Sequence, residues 1–163
     1  MKKTLLLIVL LLSRPSLGSN NAVVLNIGVG SGIMKGPGTP FERSFQLGFE
    51  HWLAPGLFVR PQAGYFLDVS GENKSSFTAS GLIGVAAKSP MGAVLHLAFG
   101  PMWLQNTDNL LGGHFQFNLE GGIGIYGENV GIEAVWWHFS SAGIYQPNKG
   151  RDFPGVQVKY FLP

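Results

Sequence analysis

From Phe41 to Glu50 the chain alternates without a break: Phe41, Arg43, Phe45, Leu47 and Phe49 share one side of an extended backbone, and Glu42, Ser44, Gln46, Gly48 and Glu50 share the other. Successive side chains of a strand point to opposite faces, so this is a strand with one apolar and one polar face. The pattern returns in Phe115, Phe117, Leu119, Ile123 and Ile125, set against Gln116, Asn118, Glu120, Gly122 and Gly124. No stretch shows the 3.6-residue period of an amphipathic helix. One face suits lipid, and the small and polar residues of the other suit the lumen of a narrow barrel.

Composition says which solvent the apolar face meets. Only 12% of residues are charged, while aromatics reach 12% and glycines number 24, too apolar for disorder and too poor in charge for an ordinary soluble surface. The absence of cysteine excludes a disulfide-stapled secreted domain, thiol catalysis and cysteine-ligated metals. A net charge of +2 and a pI near 9.0, with no basic run interleaved with aromatics, argue against nucleic acid as a partner.

The first residues have the three parts of an export signal: Lys2 and Lys3, the apolar run Leu5 to Leu12, and the small-x-small site Ser16-Leu17-Gly18. The run is shorter than the roughly 20 residues of a spanning helix, so residues 1–18 are expected to be a cleavable signal peptide. A second cut site follows Ala22. Residues 19–163 then form one domain without an internal boundary or repeat.

Eight strands are predicted, at 23–32, 41–53, 56–69, 76–88, 92–105, 113–127, 129–140 and 154–162. Tight links at Ala54-Pro55, Ser89-Pro90-Met91 and Gly127-Glu128 alternate with longer ones at 35–40, 70–75, 106–112 and 141–153. Short periplasmic turns alternating with longer outer loops mark an outer-membrane barrel with both termini in the periplasm. A soluble lipocalin-type barrel would reverse the faces, apolar inside and charged outside. The fold expected is therefore all-β, an eight-stranded antiparallel outer-membrane β-barrel. Glu42, Glu50, Arg60, Asp68 and Glu120 fall on its lumen side as a network holding it closed.

Chemistry concentrates near the C-terminus, in Gly131-Ile132-Glu133-Ala134-Val135-Trp136-Trp137-His138-Phe139-Ser140-Ser141-Ala142-Gly143 and Gln146-Pro147-Asn148-Lys149-Gly150-Arg151-Asp152. Residues two apart in a strand lie about 6.5–7 Å apart on one face, which lets the His138 imidazole reach the Ser140 hydroxyl. A serine needs such a base to become a nucleophile, and the base needs an acid to orient its other nitrogen. Asp152 is the nearest downstream acid, at the end of the returning loop, where antiparallel pairing brings it back beside His138. His138 and Ser140 share the face of Ile132, Ala134 and Trp136, the lipid side, with Glu133 opposite. Counted from a periplasmic N-terminus, the seventh strand ends near the outer leaflet, where lipopolysaccharide resides. Polar groups facing hydrocarbon are costly without partners, which makes their position itself a functional sign.

His138-Phe139-Ser140-Ser141-Ala142-Gly143, followed by Gln146-Pro147-Asn148-Lys149-Gly150, resembles the PagL-type lipid A 3-O-deacylases, also called acyloxyacyl hydrolases. That family carries His-x-Ser-Asn-Ala and a downstream Pro-Asn-x-Gly. The close resemblance spans about the last 35 residues, and the rest agrees in length, signal peptide and strand pattern. It implies hydrolysis of the acyl ester at the 3-position of lipid A without metal or cofactor, with His138 as base, Ser140 as nucleophile and Asp152 as the acid of the triad. Asn148 and the loop amides of Ala142 and Gly143 are candidates for oxyanion stabilisation, and Lys149 and Arg151 for meeting lipid A phosphates. Two positions depart from the family: Asp152 stands where Glu is usual, and Ser141 where Asn follows the nucleophile.

Plainer roles compete. His138 beside Trp136 and Trp137 also suits an interfacial girdle, and Lys149 and Arg151 suit a solvated loop. Trp52, Trp103, Trp136 and Trp137 read as belt residues, His51, His96 and His114 as interfacial or lumen packing, and Gly28-Val29-Gly30-Ser31-Gly32 as a glycine-lined strand. At the level of function, an outer-membrane serine esterase acting on lipopolysaccharide competes with a non-enzymatic barrel for adhesion or membrane integrity, and with acyl transfer. Whether the barrel pairs as a homodimer is left open by the sequence.

Overall fold

A computed structural model of the chain describes residues 20–30, 42–68, 75–107, 111–146, 148 and 150–163. The signal-peptide segment, Lys149 and the side chains of Glu42 and Asp68 lie outside the described residues. Eight strands follow in order: β1 (Asn21–Val29), β2 (Glu42–Ala54), β3 (Leu57–Asp68), β4 (Ser76–Lys88), β5 (Ala93–Leu104), β6 (Phe115–Tyr126), β7 (Val130–Ser140) and β8 (Arg151–Phe161). Each pairs antiparallel with the next, and β8 returns to β1 to close the barrel. Closure pairs every ladder, the condition for crossing hydrocarbon with strands. Tight connections at 55–56, 89–92 and 127–129 alternate with longer ones at 30–41, 69–75, 105–114 and 141–150. The last strand begins at Arg151, three residues before the expected 154, so Asp152 is a strand residue and not part of the loop.

The wall is apolar outward and polar inward. Leu47, Phe77, Ile83, Leu95, Ile123 and Ile132 are exposed, whereas Ser44, Gln46, Glu50, Gln116, Asn118 and Glu120 are buried. This inversion of a soluble protein fits a barrel whose outer solvent is the bilayer.

The lumen is filled in layers. At the end bearing the tight turns, Trp52, Phe58, Leu82, Val94, Tyr126 and Phe161 pack together. At the end bearing the long connections, Phe66, Met102, Leu104, Leu111, Trp137, Phe139 and Phe153 do the same. A buried ionic cluster joins strands across the barrel. Arg60 donates to Glu120 at 2.6 Å, Lys159 donates to Glu50 at 3.0 Å and meets Glu133 at 3.3 Å, and His96 Nε2 meets Glu120 at 2.9 Å. His96 Nδ1 faces Glu133, to which the Tyr126 hydroxyl also donates. Glu50, Arg60 and Glu120 thus do form a lumen network, and His96, Glu133 and Lys159 complete it.

Two of the four tryptophans correct the belt expectation. Trp103 and Trp136 face outward, but Trp52 and Trp137 are buried in the lumen. Trp137 follows the parity of Glu133, Val135 and Phe139, and it fits because Gly28 and Gly155 stand beneath it. A Cβ at Gly28 would lie 2.6 Å from the indole, and one at Gly155 2.9 Å. The glycine at position 28 therefore makes room for an aromatic ring.

Candidate active site on the outer wall

The outward row of β7 runs Ile132, Ala134, Trp136, His138, Ser140, with Glu133, Val135, Trp137 and Phe139 turned inward. On β8 the same alternation buries Arg151 and Phe153 and leaves Asp152 outward. Strand register sets His138 opposite Asp152, and the imidazole Nδ1 lies 2.9 Å from Asp152 Oδ1. A carboxylate only accepts, so Nδ1 carries the proton that it donates, and Nε2 of the neutral ring is left as a base. The two side chains are 30% and 19% exposed, enough to meet a ligand and little enough to be held.

On its other side β7 pairs with β6, where Leu119 stands opposite His138 and Phe117 opposite Ser140. Phe99, Phe117, Leu119, His138, Ser140 and Ala142 line an apolar groove of about 320 Å³ on the barrel's outside. Phe99 and Phe117 stack at 5.7 Å to form part of it, and Trp136 stacks on His138 at 5.8 Å. Both polar groups of the His-x-Ser pair therefore open into one hydrophobic groove. Among the described residues no hydrogen bond joins His138 to Ser140.

The connection after β7 is folded around Ser141, which is buried. Its carbonyl accepts from Ile144 N–H at 3.0 Å across a turn whose central residues, Ala142 and Gly143, both have positive φ, 51° and 87°. Positive φ at both central positions is the mark of a type I′ turn. Ser141 N–H donates to Asn148 Oδ1 at 2.9 Å, and Ser141 Oγ accepts from Tyr145 N–H at 3.3 Å. Position 141, where the family's Asn is replaced, is thus a hub of the loop whose hydroxyl holds backbone.

Of the residues singled out in sequence, His138, Ser140 and Ala142 line the groove, Asp152 bonds His138, and Asn148 is bound to the backbone next to Ser140. Arg151 does not join them: it is buried, with its guanidinium over the Phe66 ring at 5.9 Å. The expectation that it meets phosphates is corrected by strand parity, because starting β8 at 151 with Asp152 outward turns Arg151 into the lumen. Of the remaining histidines, His51 is exposed beside Asn21, His114 bonds the Leu104 carbonyl and His96 belongs to the lumen cluster. Among the described residues no group of three or more His, Asp or Glu side chains is disposed to hold a metal ion.

The family model described as lipid A 3-O-deacylase (PagL) matches residues 30–161. This chain belongs to the PagL family. Among solved structures, the outer-membrane enzyme PagL is 20% identical, with 86% of this chain and 99% of that one covered at a TM-score of 0.59. The N-terminal β-barrel domain of Pseudomonas aeruginosa OprF is 15% identical over 88% of this chain and 98% of its own, at a TM-score of 0.60. A de novo designed transmembrane β-barrel is 13% identical over 90% and 98%, at 0.57. These structural likenesses show the barrel fold. No curated protein matches the chain in sequence. Membership in the PagL family, together with the inverted wall, makes this an outer-membrane barrel.

Proposed function

We propose that the chain is an outer-membrane esterase that removes the 3-O-linked acyl chain from lipid A. The observation that carries this reading is the His138 to Asp152 hydrogen bond, made on the outer wall beside Ser140 in a PagL-family barrel. The placement of the pair at the barrel end with the long connections supports an outer-leaflet site, the leaflet of lipopolysaccharide.

In this reading Ser140 Oγ attacks the ester carbonyl while His138 Nε2 takes its proton, and Asp152 holds the ring's tautomer and steadies the imidazolium. The negative charge on the carbonyl oxygen meets the loop donors: the backbone amides of Ala142 and Gly143 and the side-chain amide NH2 of Asn148, each worth about 3–4 kcal/mol when well aimed. Collapse expels the sugar's 3-hydroxyl, which receives the proton from His138. Water, deprotonated by the same imidazole, then cleaves the acyl-serine and frees the fatty acid. The apolar groove accepts the chain being cut, and Lys149 is the remaining candidate for a lipid A phosphate.

Mass spectrometry of lipid A after expression in a lipid-A-bearing host tests the reading. Loss of one 3-hydroxyacyl group is expected. An unchanged mass would favour a non-enzymatic barrel, and a mass gain an acyltransferase.

A further inference from the structure

The β7–β8 ladder pairs His138 with Asp152 and ends at Phe139 and Arg151; continued one step, the same register would bring Gly150, just before β8, to the level of Ser140. Four positions then form a square: His138 and Ser140 on β7, Asp152 on β8, and Gly150 on the chain just before it, buried beneath the His138 ring. Three corners carry the reacting groups of the proposed site, and the fourth carries no side chain. What fills that corner is the imidazole itself. A Cβ at Gly150 would lie 2.6 Å from His138 Cε1, closer than carbon atoms approach without displacement, and a tight 3.1 Å from Nε2. The ring's far edge, which bears the nitrogen not held by Asp152, rests over the glycine.

We propose that Gly150 is a positioning residue for His138: its bare backbone lets the imidazole lean from Asp152 across the square, holding Nε2 at the level of Ser140. This inference rests on the reading of Ser140 as nucleophile and His138 as its base. A methyl group there pushes the ring's reactive edge off the corner while Nδ1 can still reach Asp152, so the loss falls on proton transfer and not on lipid binding. Misplacing a reacting group by about 1 Å costs about a hundredfold in rate.

Gly150 also has φ +66°, where a side chain strains the backbone. Asn tolerates that region better than Ala does, which separates strain from collision. With purified barrel in detergent, Gly150→Ala and Gly150→Asn are both expected to lower kcat at least about a hundredfold with KM little changed. The rate at which a fluorophosphonate probe labels Ser140 is expected to fall in step. In isotopically labelled wild-type protein, a nuclear Overhauser contact is expected between His138 Hε1 and the Gly150 α-protons, whatever the activity. Near-normal kcat in the Asn variant, or absence of that contact, overturns the proposal. If wild-type protein releases no fatty acid, the esterase reading falls, and the Overhauser contact still decides the position of the ring.

Discussion

His138 and Asp152 stand directly across the β7–β8 ladder on the barrel's outer face, 2.9 Å apart through Nδ1 and Oδ1. At this position, where the family usually has Glu, the shorter Asp side chain reaches the imidazole. Asp152→Asn removes the acceptor and favours the wrong tautomer, so kcat on lipopolysaccharide is expected to fall by about 10³- to 10⁴-fold with the fold intact. Asp152→Glu, keeping the charge, is expected to retain more activity than the Asn variant. Steady-state kinetics of both in one detergent check this.

Trp136 and Trp137 are neighbours in sequence with opposite surroundings. Trp137→Ala hollows the lumen and is expected to cost about 3–5 kcal/mol, read from urea unfolding in vesicles. Trp136→Ala removes only an outward stacking partner of His138 and is expected to cost about 1 kcal/mol. In single-tryptophan variants, brominated lipid should quench Trp136 and Trp103 and leave Trp137 and Trp52 bright.

Glu120 accepts from Arg60, His96 and Gln157 inside the lumen. Glu120→Ala leaves buried cationic groups without their carboxylate and is expected to destabilise the barrel by about 3–5 kcal/mol. The cluster lies inside the wall while the proposed reaction lies outside it, so activity per folded molecule should be unchanged. Urea unfolding and a turnover assay on the same sample separate the two effects.

Leu119 lies opposite His138 in the groove floor. Leu119→Trp narrows the space for an acyl chain, so KM is expected to rise about tenfold, roughly 1.4 kcal/mol of binding, with kcat less affected. An equal fall in kcat alone would mean that the chain does not lie there.

Much of this is legible in the sequence, because a strand's side-chain period is two and one face meets a different solvent from the other. Parity placed Phe45, Leu47 and Phe49 outward and Glu50 and Glu120 inward, and it put His138 and Ser140 on the face opposite Glu133. Parity also carried the means to place Trp137 inside, but residue type pulled the other way: tryptophan suggests a belt. What alternation could not supply was where β8 begins. Starting it at Arg151 turned Arg151 inward and fixed Asp152 opposite His138. The partners of the ionic cluster, His96, Glu133 and Lys159, lie on three different strands, and their meeting depends on closure of the barrel. The role of Ser141 depends on a loop turn with two positive φ values, which its sequence does not announce.

The most direct test of the account is release of 3-hydroxy fatty acid from purified lipopolysaccharide by the refolded barrel, wild type against Ser140→Ala. The account predicts release by the wild type and its loss in the variant by at least about a thousandfold, with both proteins migrating as folded barrels. Equal release by the two would contradict it, since the acyl chain would then be cut without the serine that looks out from the end of β7.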